Sequence, residues 1–439
     1  MNGRRVVITG LGAVTAAGIG AEAMLDAASR AVGCTSRIDR FDPSGFACTA
    51  GGQVNDFSAR DYVPKAYRKA VKVMARDIEL AVAAADLAFR DAGLTTKGID
   101  EGAVDVDGAR FACNIGAGLI CADLEELGQA MQSALDERGR FDFRRWGAEG
   151  MANLTPLWLL KYLPNMLACH VTIIHDLRGP SNTITCGEAS GLLSIGEAAC
   201  QIARGSAEGA VAGGAESRLN PMGVLRQALL GRLAATEGRD PATVCRPFDA
   251  GHAGMVIGEG AGLVVLETLE AAARRGAGIY AEVVGFAGAT DPAGAVPGRA
   301  HAGNVHLAAA QALAQAGITP DRLDLVVAQG TGVPHEDLAE AAALGEVLGG
   351  EQIPVCSITG LVGNCAAGAG GIAAVLATAA TRDTVIPPTA NYRAAAAGCE
   401  HLEIRHEVIG SPVNYALVQA ISHTGQSAAL VLKRFQEGA

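Results

Sequence analysis

Three features predict an α/β fold built from two similar halves. Short apolar strands end in paired glycines: Val6-Val7-Ile8 runs into Gly10-Leu11-Gly12, and Phe111-Ala112-Cys113-Asn114-Ile115 into Gly116-Ala117-Gly118. Helical patterns separate such strands, a spacing that implies parallel βαβ units. A second series of the same kind begins near residue 250. The 439 residues, 49% hydrophobic and 18% charged, hold core material for roughly two to three domains or one large fused body.

The elements follow in order. After the first strand, a helical stretch covers Ala21 to Ala31, and residues 35–64 form a loop-rich excursion with Pro43, Gly45, Gly51 and Gly52. An alanine-rich pattern predicts a long helix from Ala66 to Leu94, closed by Gly93. Residues 139–168 carry Trp146, Pro156, Trp158 and Pro164 and read as an insertion or lid rather than core. A turn and short strand from Gly179 lead into an apolar helix, Leu192 to Ala203. Leu263-Val264-Val265-Leu266-Glu267 is expected to open the second half. It is followed by a strand over Tyr280 to Phe286, a helix over Val305 to Gly317, a strand over Leu325 to Ala328 and a helix over Leu338 to Leu348. Strands near Val413–Val418 and Ala428–Leu432 close the chain. The expected halves are 1–250 and 251–439.

Composition excludes several function classes. With 35 basic and 46 acidic residues the net charge is −11, and no basic patch marks a nucleic acid or an anionic membrane as main partner. No apolar run reaches the roughly 18 residues of a membrane span. The N-terminus lacks the apolar core of a signal peptide. The eleven cysteines are scattered without CxxC or Cys/His metal spacing, as buried free thiols in a reducing compartment would be. A soluble cytoplasmic protein without metal or cofactor is expected. Gly10-Leu11-Gly12 is not a GxGxxG loop, since Val14 and Thr15 follow where the spacing requires x-x-G.

The most informative segment is Gly179-Pro180-Ser181-Asn182-Thr183-Ile184-Thr185-Cys186-Gly187-Glu188-Ala189-Ser190-Gly191. A strand-to-helix elbow meets free helix N–H groups and the positive end of the helix dipole. Such an environment lowers a thiol's pKa and makes a nucleophile. Glu188 occupies it instead, and a carboxylate is a poor acyl carrier.

Taken together, several segments resemble the β-ketoacyl-acyl-carrier-protein synthases of the thiolase superfamily over essentially the whole chain. They are Arg5 to Thr15, Leu177-Arg178-Gly179-Pro180-Ser181, Val211-Ala212-Gly213-Gly214-Ala215-Glu216, Arg246-Pro247-Phe248-Asp249, Gly258-Glu259-Gly260-Ala261-Gly262, and Pro387-Pro388-Thr389 with Asn391. The resemblance implies a five-layered α-β-α-β-α fold of two similar halves, dimerising through the strand that precedes the nucleophile. Active members use a cysteine thiolate and two histidines for acyl transfer, decarboxylation and oxyanion stabilisation. Matched onto this chain, the cysteine position is Glu188, the first histidine Gln329, the second Asn364, and an associated lysine Thr359. The family's gating loop reads Ser422-His423-Thr424-Gly425-Gln426-Ser427, and its Arg-Asp-Gly motif reads His252-Ala253-Gly254. This loss of the triad is similar to that of the chain-length factors, the ketosynthase β-subunits of type II polyketide and aryl-polyene systems. Those mostly carry glutamine at the cysteine position.

The resemblance therefore implies no independent catalysis. It implies a heterodimer with an active ketosynthase whose acyl tunnel this chain helps to shape, with acyl carrier protein reaching the pair through that partner. Leu119, after Gly116-Ala117-Gly118, stands where relatives place an apolar residue of the acyl pocket, and it fits either a tunnel wall or plain core packing. The alternative is an enzyme reusing the fold for decarboxylation, hydrolysis or acyl transfer through Glu188 or His335. Glu188 also fits a helix-terminal acid satisfied by backbone N–H groups. Cys186, two residues earlier, fits either a displaced nucleophile or a structural thiol.

Overall fold

The computed structural model describes residues 3–291 and 302–436. The first strand, β1 (Val6–Thr15), is buried along its whole length. It is followed by α1 (Ala21–Ser29) and α2 (Arg76–Asp91). The helix expected from Ala66 thus begins ten residues later, after single tight turns at Lys65–Tyr67 and Ala70–Val73. Lys65, Lys69 and Lys72, with Arg68, put like charges three and four residues apart on any helix there, and neither turn has a buried residue to offset the repulsion.

The chain continues through β2 (Phe111–Gly116), α3 (Met166–His175), β3 (Ser181–Ile184), α4 (Ser190–Ala203), β4 (Gly209–Ser217), α5 (Pro221–Leu229) and β5 (Ile257–Thr268). The remaining elements are β6 (Ala281–Thr290), α6 (Ala302–Ala316), β7 (Leu325–Val327), α7 (Pro334–Leu348), β8 (Pro354–Cys356), α8 (Ala369–Asp383), β9 (Glu403–Ile404), β10 (Tyr415–Ile421) and β11 (Gln426–Arg434). The stretch expected as a lid is mostly a series of short helical turns with exposed Phe143, Met151, Leu157 and Leu159. Its last residues belong instead to α3, whose Leu167, Val171 and Ile174 are core.

Strand order explains the two halves. It runs β9-β8-β7-β10-β11-β6-β1-β5-β4-β2-β3. In the first group β2 is parallel to β3 and β4, β4 is antiparallel to β5, and β5 to β1. The second repeats this: β7 is parallel to β8 and β10, β10 antiparallel to β11, and β11 to β6. Among the described residues, strand pairing of Val7 with Glu282 and Ile8 with Ala281 joins the groups.

Leu263–Glu267, expected to open the second half, lies in β5, paired on both sides within the first group; the repeat begins at β6. The glycines that suggested an opening serve close packing instead. A Cβ at Gly262 would come within 2.3 Å of the α8 backbone at Gly371.

Helices complete the layers. α2 covers the outer face of β1, β5 and β4, with α3 beside it. α4 and α8 lie between the sheets, α4 on β4 and β2, α8 on β5 and β10. α6 covers β6 and β11, with α7 against it. This is the five-layered α-β-α-β-α body that the resemblance implies. Strands sandwiched between helix layers are apolar on both faces, as in Leu263, Val264, Val265 and Leu266, all fully buried. Among the described residues no helix is long and apolar enough to cross a membrane.

Candidate functional site

The elbow expected around Glu188 is present. β3 ends at Ile184, a tight turn spans Gly187–Ala189, and α4 starts at Ser190. Ser190 locks the turn: its Oγ accepts from the Cys186 N–H (2.8 Å) and donates to the Gly187 carbonyl (2.6 Å). Gly187 has φ +56°, and a Cβ there would lie 2.3 Å from Ser422 Oγ. Glycine alone both takes this conformation readily and leaves room for the 422–427 loop to seat against the elbow.

Glu188 is completely buried, and its partners are side chains rather than the backbone amides expected of a helix-terminal acid. Arg232 Nη2 donates to Oε1 at 3.1 Å, and Asn364 Nδ2 donates to the same oxygen at 3.3 Å. Arg218 Nη1 stands 3.6 Å away. His423 Nδ1 lies 3.7 Å from Oε2, beyond hydrogen-bond reach, and 3.3 Å from Arg232 Nη1. The longer side chain carries the charge past the first turn of α4 into this arginine pair. Burial by itself would raise the carboxyl pKa; Arg232, His423 and Arg218 more than offset it and hold Glu188 well below the ordinary carboxylate range.

The network extends further. Arg232 forms a two-point bridge to Glu336 (Nε 2.7 Å, Nη2 3.0 Å), and its Nη1 donates to Gln227 at 3.0 Å. Arg218 Nε donates to Glu216 at 2.9 Å, and the other Glu216 oxygen accepts from the Ala367 N–H. Arg218, Arg232 and Glu216 are therefore neighbours of Glu188 that sequence reading did not single out, while Glu336 was weighed only beside His335 and Asp337 as an acid/base group. One signal existed: a buried carboxylate requires a cation beside it. Sequence position did not say which arginine would arrive.

The structure brings Asn364 to Glu188 and also donates from the Ala366 N–H to Asn364 Oδ1 at 2.9 Å. Gln329 is not among the hydrogen-bond partners of Glu188 within the described residues. Its backbone is clamped instead: its N–H donates to Glu340, and its carbonyl accepts from Ser357 Oγ and Thr359 Oγ1 at 2.8 and 2.9 Å. Thr359 thus braces the Gln329 loop. His335 is exposed at the start of α7, and its neighbour Glu336 is the residue that reaches the network. Asp337 is structural: it accepts from the N–H groups of Phe248, Thr331 and Gly332 and pairs with His252. Cys186 does not lie on β3 with Glu188, because the strand ends two residues before it. Burial raises its thiol pKa, opposite to an activated nucleophile.

In front of the elbow lies a cavity of about 540 Å³. Ala117, Leu119, Leu229 and Leu230 supply apolar wall, and Arg218, Arg226, Gln227 and His423 supply polar groups. Leu119 is 65% exposed at this cavity rather than packed in the core. A Cβ at Gly118 would lie 2.0 Å from the Glu216 carboxylate, so a larger residue there would displace that side chain. Glu188 does not reach the cavity; Gly187, Arg218 and His423 stand on its wall. Among the described residues no cluster of three His, Cys, Asp or Glu side chains is placed to hold a metal ion.

Comparison with known proteins agrees with this architecture. Residues 3–272 match the family model "Beta-ketoacyl synthase, N-terminal domain", and residues 280–393 match "Beta-ketoacyl synthase, C-terminal domain". The chain is 32% identical over 440 residues to the 3-oxoacyl-[acyl-carrier-protein] synthase 2 of Vibrio harveyi, covering 100% of both chains. It is 30% identical over 436 residues to the protein of that name in Staphylococcus aureus (strain COL), covering 99% of each. Among solved structures, the ishigamide ketosynthase/chain length factor superimposes with TM-score 0.84 at 26% identity, over 99% of this chain and 100% of that one. A β-ketoacyl synthase from Burkholderia phymatum STM815 gives 0.85 at 27% identity, also over 99% and 100%.

Proposed function

The chain belongs to the β-ketoacyl synthase family, and from that premise we propose that it is a non-catalytic chain-length factor, the β-subunit of a type II polyketide ketosynthase. One observation carries the reading: the residue at the nucleophile's elbow is a fully buried carboxylate held ionised by Arg232 and Arg218. A thioester cannot be loaded there in the manner of a cysteine enzyme. Gln329 and Asn364, at the positions the resemblance assigns to the two histidines, do not shuttle protons near neutral pH. No catalytic residue is assigned.

The partner is an active ketosynthase. Among the described residues β3 is an edge strand paired with β2 alone, and the cavity at its end carries exposed Leu119, Leu229 and Leu230. Apolar side chains gathered beside an open strand edge favour association. The solved relative described as a ketosynthase/chain length factor supports a heterodimer. Another, at 26% identity, is a type II PKS acyl-carrier protein in complex with its ketosynthase bound to the hexaketide, and it supports carrier-protein access through the paired ketosynthase. In the proposed heterodimer Leu119 and the cavity behind it form part of the acyl tunnel.

The catalytic relatives from Vibrio and Staphylococcus favour a second reading, an enzyme in its own right. The sequence candidates for it are Glu188 and His335. Glu188 has no access to a substrate, and His335 sits outside the cavity.

The decisive experiment is co-expression with an active type II ketosynthase subunit. Co-purification, and condensation only by the pair, support the proposal. A covalent acyl adduct on the lone chain, found by intact mass and lost in Cys186→Ala, overturns it.

A further inference from the structure

The turn between β10 and β11 is tied together by its own hydrogen bonds. The Ser422 N–H donates to the Gln426 carbonyl at 2.8 Å, the Gly425 N–H to the Ser422 carbonyl at 2.9 Å, and Thr424 Oγ1 to Gln426 Oε1 at 2.6 Å. His423 is the member of this turn that faces the elbow. Its Nδ1 stands 3.3 Å from Arg232 Nη1 and 3.7 Å from Glu188 Oε2. The two neighbours make opposite demands on that nitrogen. A guanidinium only donates, so Nδ1 meets Arg232 as an unprotonated acceptor. A carboxylate only accepts, so Nδ1 meets Glu188 as an N–H. One ring nitrogen satisfies one of them at a time.

Glu188 supplies the reason for an exchange. Its Oε1 receives Arg232 and Asn364, whereas Oε2 is buried without a hydrogen-bond partner among the described residues. Such an orphaned acceptor costs free energy until a donor arrives. His423 Nδ1 stands about 0.5 Å beyond hydrogen-bond length from it. The His423 side chain is 25% exposed, so protons from water reach the ring. The surrounding charges favour a cation at this point. The contact network around Glu188 sets the carboxylates of Glu188, Glu216 and Glu336 against the guanidiniums of Arg218 and Arg232. That leaves one negative charge for an imidazolium to balance. Arg226 of α5 borders the same cavity as His423 but stands outside the network, with its Nη1 on Cys121 Sγ at 3.1 Å. Just beyond β6, Asp291 meets the turn through its backbone N–H, which donates to the Gly425 carbonyl at 2.9 Å. No other residue of the 422–427 loop is titratable.

We propose that His423 is a proton-operated latch: unprotonated at Nδ1 it accepts from Arg232, and protonated there it donates to Glu188 Oε2 and draws the β10–β11 turn toward the elbow. Water delivers and removes the proton, and no other covalent bond of the chain changes. Histidine is the side chain suited to such an exchange, since its ordinary titration lies between pH 5 and pH 8. Of the two contacts, the one to Glu188 joins opposite charges, and hydrogen bonds of that class are the shorter and stronger. The acid form therefore holds the turn more firmly, while the alkaline form leaves Oε2 unmet. The latch is built from this chain's own residues. Failure to pair with a ketosynthase leaves it intact, and failure of the latch leaves the pairing intact.

The test is NMR of the histidine ring nitrogens, with this chain nitrogen-15 labelled at histidine and purified alone or paired with an unlabelled partner. Loss in His423→Gln assigns the His423 signals. At pH 8 the ring is expected to carry its proton on Nε2, with Nδ1 bare. At pH 5.5 both nitrogens should be protonated, and the Nδ1–H should exchange with water at least about tenfold more slowly than the Nε2–H. In Glu188→Gln the side-chain oxygen stays with Arg232 and Asn364, so an amide donor faces Nδ1 and the slowly exchanging Nδ1–H should vanish. In wild-type crystals brought to pH 5.5 the Nδ1–Oε2 separation should close to about 2.8 Å. An Nδ1–H already present at pH 8, equal exchange of the two N–H groups at pH 5.5, a protected Nδ1–H in Glu188→Gln, or an unchanged separation overturns the proposal.

Discussion

Arg232 donates a hydrogen bond of 3.1 Å to Glu188 across 44 residues of sequence, and both side chains are buried. The pair is the reason a carboxylate can occupy the elbow of α4. Removing Arg232 takes the hydrogen-bonded cation from Glu188 and Glu336 together, a loss of about 3–5 kcal/mol. Arg232→Ala should therefore destabilise the chain by that order, read as a lowered urea midpoint with unchanged slope, whereas Glu188→Ala leaves Arg232 bridged to Glu336 and should cost less. Glu188→Gln keeps an acceptor for Arg232 and should cost less.

The same pair predicts an acid limb. The Glu188 carboxyl is depressed in the folded state, so its contribution is fully present above the unfolded carboxylate pKa of about 4.3. It is lost as pH falls below that value toward the depressed folded pKa. Unfolding midpoints measured from pH 6 down to pH 3 should fall more steeply in the wild type than in Glu188→Gln.

Asp77 and Glu340 act in the opposite direction. Burial pushes each up to about 7: Asp77 with help from neighbouring Glu216, and Glu340 in spite of hydrogen bonds from Gly330, Gln419 and Gln329 that lower it. Between the unfolded pKa near 4 and the folded value near 7, the unfolded chain ionises first, so stability falls as pH rises through that window. Asp77→Asn keeps an acceptor for the Ser217 N–H, now held by Asp77 at 3.0 Å. It should flatten the decline in thermal midpoint between pH 5 and pH 8; an unchanged profile would count against an uncharged Asp77.

Tunnel shaping and pairing separate by mutation. Leu119→Trp fills the front of the cavity and should shorten the products of the complex without reducing co-purification. Thr183→Pro should abolish co-purification. The Thr183 N–H is met by the neighbouring Asn182 side chain at 2.8 Å rather than by β2, so proline there disturbs the open edge and spares the internal ladder.

Restoring a thiol should not restore chemistry. Glu188→Cys is expected to give no ketoacyl product from a malonyl-carrier substrate, because neither Gln329 nor Asn364 can replace a proton-transferring histidine. Product formation by that single variant would show that the remaining site still condenses.

Much of the candidate site was legible because its positions are local. Gly187 and Ser190 make the turn from within four residues of Glu188, and Gly116 to Gly118 end β2 with the chain spacing the motif implies. The failures came where local signals competed. The alanine pattern before Arg76 suggested helix, but like charges and the want of a buried face kept it in single turns. The glycine run before Leu263 suggested a new half, yet those glycines let α8 approach β5.

By itself the sequence determined the alternation of strands and helices, the elbow, and which side chains stand at the positions the resemblance assigns to a triad, since each depends on neighbours in the chain. Tertiary structure alone decided what Glu188 touches. Its charge needed a cation, but Arg218 and Arg232 arrive from the two ends of the α5 segment, and Asn364 from the turn before α8. Long-range charge pairing follows from how the layers stack, and linear spacing carries no record of it.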